Sequence, residues 1–104
     1  MASGEFKKPY AVHASGVIKR RIVALQEQAT LEGRGTAALA AYRQILQRLR
    51  TDPLQFGEPQ YPLVNMRLQV RKCSVRPFVV HFAVGEEYQI VFIKEVHLLG
   101  PPDA

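Results

Sequence analysis

The chain has little that could staple it, anchor it or repeat it. A single cysteine, Cys73, excludes an intramolecular disulfide framework, and a lone thiol suits a reducing cytoplasm. No apolar run approaches the about eighteen residues of a membrane span, so no membrane partner is expected. Met1 to Tyr10 lacks an apolar stretch and carries Glu5, Lys7 and Lys8, so no signal peptide is expected either. Internal repeats, low-complexity tracts, a Gly-rich phosphate loop and a Ser-His-Asp arrangement are all missing. Three histidines and one cysteine stand without metal-ligand spacing, so neither a metal nor another cofactor is expected. A length of 104 residues excludes a multidomain enzyme and leaves one domain, 1–104, with its core over 7–99 and flexible ends.

What is present is an ordinary globular composition, 47% hydrophobic and 22% charged, enough to bury a core. Fourteen basic against nine acidic residues leave a net charge of +5 and an isoelectric point near 9.7, which favours an anionic partner. Met1 to Asp52 carries nine basic and four acidic residues and so supplies the whole excess, while the rest of the chain has five of each. Within that neutral half, Arg67, Arg71, Lys72 and Arg76 form a second basic patch with no acid among them.

Lys7 to His13 reads as a short strand, its Pro9 suited to an edge. Ser15 is a plausible N-cap, and Ile18, Ile22, Leu25 and Ala29 then mark one apolar helix face. Gly33 suits the left-handed position after a helix, and Gly33-Arg34-Gly35 is a turn that delivers Thr36 as the next N-cap. Leu39, Tyr42, Ile45, Leu46 and Leu49 trace a second stripe, which Asp52-Pro53 ends. Helices joined so tightly pack as an antiparallel hairpin. Thr51 to Asn65, with Pro53, Gly57, Pro59 and Pro62, is expected to be an ordered loop anchored by Leu54, Phe56, Tyr61 and Leu63.

Arg67 to Arg71 alternates as a strand, Arg76 to Val84 reads as a central strand, and Tyr88 to His97 returns after Gly85-Glu86-Glu87. The order is strand, helix, helix, strand, strand, strand: an α+β fold with a helical hairpin on a small antiparallel sheet. A reversal about Gly85-Glu86 or Glu86-Glu87 groups Phe78, Val80 and Phe82 with Val91 and Ile93 by parity, with Arg76, Glu95 and His97 at the far end of that face. Val79, His81 and Ala83 then share the other face with Ile90, Phe92 and Lys94.

This order resembles the RelE/ParE superfamily. So do Leu-Arg-Thr-Asp-Pro-Leu at 49–54, Phe56-Gly57-Glu58-Pro59, the strand from Met66 to Arg71 and Val79-Val80-His81-Phe82-Ala83-Val84. The likeness covers about residues 7 to 99. It implies the toxin half of a bacterial type II toxin–antitoxin pair, also called a plasmid stabilisation protein, with an antitoxin from a neighbouring gene as partner. RelE-like members are ribosome-dependent, metal-independent mRNA endonucleases. ParE-like members lack that catalytic set and inhibit DNA gyrase. A degenerate member would keep only the fold and a binding groove for antitoxin or nucleic acid.

On this resemblance Arg67 and Arg71 match the basic residues of the strand after the hairpin, and His97 matches a histidine that one branch keeps near its C-terminus. Leu98 stands where a tyrosine would follow that histidine. The middle-strand arginine of the family falls on Arg76 or on Val79, depending on the register.

RNA cleavage by 2′-hydroxyl attack needs a proton acceptor, a proton donor and cations beside the phosphorane. His97, Arg76 and Arg71 are the candidate catalytic residues, since imidazole, titrating at about pH 6.5, can take or give a proton. Arg67, Lys72, Lys19, Arg20, Arg43 and Arg48 are candidates to bind RNA phosphates. Structural readings compete with these: Arg76 paired with Glu95 across the strands, His97 as a strand end, and the helix cations as solvated surface. His81 reads as a satisfied core or inter-layer histidine, His13 as a loop residue and Cys73 as a turn residue.

Overall fold

The computed structural model describes residues 8–100. The expectations that Lys7 starts the first strand and that the ends are flexible fall partly or wholly outside that range. In chain order the elements are β1 (Ala11–His13), α1 (Gly16–Leu31), α2 (Gly35–Thr51), β2 (Glu58–Leu63), β3 (Leu68–Val75), β4 (Phe78–Gly85) and β5 (Ile90–Leu98). Short 3-10 turns at Pro53–Gln55 and Val64–Met66 flank β2. The result is the expected α+β architecture, two helices on one face of a sheet ordered β1-β5-β4-β3-β2.

The Ser15 hydroxyl accepts a hydrogen bond from the Ile18 amide at 3.2 Å, so α1 starts where its cap predicts. Ile22, Leu25 and Ala29 are buried and Ile18 packs against them, as the periodicity requires. Gly33 closes the helix with a φ of +81°. Thr36, however, is not the N-cap of α2. The Arg34 amide reaches back to the Ala29 carbonyl at 2.7 Å, and the Arg34 carbonyl already accepts from Ala38 at 2.9 Å, so the helix begins before Thr36. In α2, Ile45 and Leu49 are buried as expected, but Ala38 and Ala41 complete the buried stripe, whereas Leu39 is 41% exposed.

The sheet exceeds the sequence expectation in two places. β1 lies parallel to β5 at one edge, so the sheet is mixed. At the other edge, Glu58–Leu63 is a strand paired antiparallel with β3 instead of a loop. Pro59 and Pro62 are tolerated because β2 has a partner on one side only. Gly57, just before it, takes a φ of +75°, and a Cβ there would lie 2.3 Å from the Lys72 carbonyl oxygen. Only glycine lets the chain enter the sheet so closely.

The core lies between helices and sheet. Cys73, Phe78, Val80, Phe82, Val84, Val91, Ile93 and Val96 meet the helical stripes and Phe56. Arg21 ties α1 to the sheet by donating from Nε to the Val96 carbonyl at 2.8 Å. No described element covers the opposite sheet face, and no described helix is long and apolar enough to cross a membrane.

Candidate functional site

One irregularity decides what that uncovered face presents. The β4–β5 reversal is wider than expected, spanning Glu86 to Gln89, with Gln89 at a φ of +51° and its amide bonded to the Glu86 carbonyl at 3.2 Å. Phe82 pairs with Ile93, but the next pair is His81 with Glu95, so Lys94 is an extra residue in β5. Such a bulge reverses the inside-outside alternation beyond it. Glu95 and His97 therefore leave the helix-side face assigned by parity and join His81 and Val79 on the open face. His81 keeps the face that parity gives it, away from Val80 and Phe82, and is half-buried there, with Lys72 opposite it on β3 and Glu95 opposite it on β5.

The His81 and His97 rings meet edge to face with centroids 5.8 Å apart. His97 Nε2 lies 3.2 Å from Glu95 Oε1. The nitrogen and carboxylate donors of His81, Glu95 and His97 all fall within 4.8 Å of one another, the one such cluster among the described residues. Lys94 stands beside it, 3.5 Å from the Tyr61 hydroxyl, and Tyr61, Val70, His81, Lys94 and Glu95 line a shallow cavity of about 200 Å³. Further along the face, His13 ends β1 as a strand residue, not a loop residue, and tilts against Phe92 with ring centroids 5.7 Å apart. The site thus combines two imidazoles, a carboxylate and the ammonium groups of Lys72 and Lys94, chemistry suited to moving protons beside an anion.

The arginines proposed beside His97 are elsewhere. Arg71 is only 7% exposed, on the helix side of β3. Its Nε donates to the Phe56 carbonyl at 3.0 Å, its Nη2 to the Gly57 carbonyl at 3.0 Å and its Nη1 to Gln69 Oε1 at 2.8 Å. Arg76 belongs to no strand: β4 begins at Phe78, and Arg76 stands in the turn before it. It faces the α1–α2 turn, lining a cavity of about 280 Å³ with Gly33, Arg34 and Leu99, so the expected pairing with Glu95 gives way to the Glu95–His97 contact.

Arg67 takes a φ of +55° and pairs with Glu87 at 2.9 Å in an exposed contact. Of the proposed RNA-binding set, Lys72 alone lies beside the cluster. Lys19 lines a helix-side groove, Arg20 and Arg43 are exposed on the helices, and Arg48 bonds Asp52 at 2.9 Å while lying 4.6 Å over the Phe56 ring. Cys73 is no turn residue. It is buried in β3, where desolvation pushes its thiol from 9.0 up to about 11 and keeps it protonated.

His81, Glu95, Lys94 and Tyr61 form one group that the regular alternation of β5 does not bring together. A signal for it exists: Val91 and Ile93 alternate inward, then Lys94-Glu95 places two polar residues in succession and the inward phase resumes at Val96. Compared with protein-family models, with curated proteins and with solved structures, the chain matches none.

Proposed function

We propose that this chain is the toxin of a type II toxin–antitoxin pair, a RelE-like endonuclease that cuts mRNA on the ribosome with the open sheet face. One observation carries the reading: the bulge at Lys94 gathers two imidazoles, a carboxylate and two lysines on a sheet face that no described helix covers. In this mechanism His97, oriented by Glu95, takes the proton from a ribose 2′-hydroxyl. The alkoxide attacks the phosphorus, and His81 gives a proton to the departing 5′-oxygen, leaving a 2′,3′-cyclic phosphate and a 5′-hydroxyl. Lys72 and Lys94 stabilise the negative charge of the phosphorane. An apolar groove lined by Ile22, Val23, Tyr42, Leu46 and Ile93 and rimmed by Lys19 and Arg50 supports the antitoxin half of the reading, since it suits an acidic amphipathic segment.

The test is inducible expression in a bacterium with mapping of mRNA 5′ ends on ribosomes. The wild type is expected to cut. His97→Ala and His81→Ala are each expected to lose roughly 10²–10⁴-fold of the cleavage, the usual contribution of a general acid or base. Arg76→Ala should cut normally. A second reading, a ParE-like gyrase inhibitor, draws on one fact: Arg71 and Arg76 are not assembled with His97. Growth arrest with intact mRNA and an induced DNA-damage response would establish it and overturn the nuclease. Normal growth with intact mRNA would leave a degenerate member that only binds.

A further inference from the structure

We infer that His81, Glu95 and His97 form a binding site for one divalent transition-metal ion of the zinc class. Two imidazole nitrogens and one carboxylate oxygen are a donor set that zinc, cobalt and nickel accept, whereas magnesium and calcium prefer oxygen alone. The donors already stand close: 3.2 Å between Glu95 and His97, and no pair beyond 4.8 Å. A tetrahedral ion with bonds of about 2.0–2.1 Å needs its donors about 3.4 Å apart, so a gap of 4.8 Å closes by about 1.4 Å of side-chain rotation.

The scaffold makes that rotation inexpensive. His81 and Glu95 are direct cross-strand partners, and His97 lies two residues along β5 on the same side. The half-buried His81 and the exposed Glu95 and His97 have room to turn, while their backbones are held in the ladders of β4 and β5. Three protein donors leave the fourth position open. Lys72, opposite His81 on β3, and Lys94, next to Glu95 in β5, make this side of the sheet cationic, so the open position suits water or an anion. Neither other candidate donor reaches the site: His13 packs on Phe92, and Cys73 is buried among the helix-side residues.

This site does not depend on RNA cleavage. A bound ion occupies the nitrogen lone pairs that proton transfer requires, so one molecule cannot hold the ion and cut RNA at once, and each activity is measured on its own.

The test is calorimetric titration of the untagged, chelator-treated full chain with ZnCl₂, with histidine-ring NMR on the same sample. One Zn²⁺ per chain is expected, shifting the His81 and His97 resonances and leaving His13 in place. His81→Ala, His97→Ala and Glu95→Gln should each weaken binding by about a hundredfold or more, since losing a direct ligand costs at least as much as losing an outer partner. His13→Ala and Cys73→Ser should bind as wild type, and MgCl₂ should produce no heat. Absent binding, or wild-type affinity in both His81→Ala and His97→Ala, would overturn the site. The NMR reads the wild type directly, so the result stands even if a variant folds poorly. Zinc binding without mRNA cleavage would retain this site and remove the nuclease; cleavage without zinc binding would do the reverse.

Discussion

Arg71→Ala separates a structural from a catalytic arginine. The guanidinium is buried beside the loop that leads into β2, and its three hydrogen bonds run to two consecutive backbone carbonyls and one side-chain amide. Bonds from a charged donor contribute about 1.5–3 kcal/mol each, so the gross loss is about 4–9 kcal/mol. Against this, the variant no longer buries a cation, and water reaches part of the freed backbone. A net destabilisation of about 3–5 kcal/mol follows, within the about 2–6 kcal/mol expected when the Phe56 and Gly57 carbonyls lose their donor at about 1–3 kcal/mol each.

For a domain of this size each 1 kcal/mol lowers the melting temperature by about 4–8 °C, so Arg71→Ala should melt about 12–40 °C below wild type. Circular dichroism melts measure this, with cleavage assayed at a temperature where the variant is still folded. Arg71→Lys keeps the charge but not the planar fork that reaches Phe56, Gly57 and Gln69 together, and should recover less than half of the loss. A variant that melts within a few degrees of wild type and yet no longer cuts RNA would refute the structural assignment. So would a lysine that restores full stability.

Gly57→Ala should destabilise by about 3 kcal/mol or more in urea denaturation, because it combines a left-handed backbone with a Cβ driven against the Lys72 carbonyl. The raised thiol of Cys73 predicts negligible reaction with a thiol reagent at pH 8 in the native protein and rapid reaction once it is unfolded. Because that group's folded value lies above its unfolded value, its stabilisation is complete below about pH 9 and declines by about 2–3 kcal/mol as pH rises toward 11; Cys73→Ser should lack that alkaline slope. Asp52 is held low, first by its hydrogen bond from Arg48 and then by Thr51, so its stabilisation is present above its unfolded value and lost as pH falls through the folded one. The pair is partly exposed, so Asp52→Asn should cost only about 0.2–1 kcal/mol at neutral pH and nothing resolvable at pH 2.

The helical hairpin was legible because its signals are local. The Ser15 hydroxyl, the apolar spacing from Ile18 to Ala29 and the glycine at 33 each act within one or two turns of their own backbone. The order of the last three strands was legible for the same reason. What escaped was set by partners distant in sequence. Pro59 and Pro62 forbid a central strand but permit an edge, and whether a segment is an edge depends on the sheet it joins. Arg71 alternates with Val70 as a polar outward residue would, yet the carbonyls of Phe56 and Gly57 bend back over it and make burial of the cation affordable.

The candidate site escaped through a rule that is sound until a single residue breaks it. Parity assigns faces correctly for Val91 to Ile93 and incorrectly from Glu95 onward, because Lys94 is unpaired in the ladder. The departure follows from what the two faces can accept. Without the bulge, Glu95 and His97 would point at the core occupied by Val80 and Phe78, and Val96 would point to the open side; burying a carboxylate and an imidazole there, without partners, costs far more than one irregular ladder bond. The polar pair Lys94-Glu95 therefore forces the bulge, and the bulge brings His97 beside His81. The same residues that would have damaged the core as a regular strand build the constellation on which both functional proposals rest.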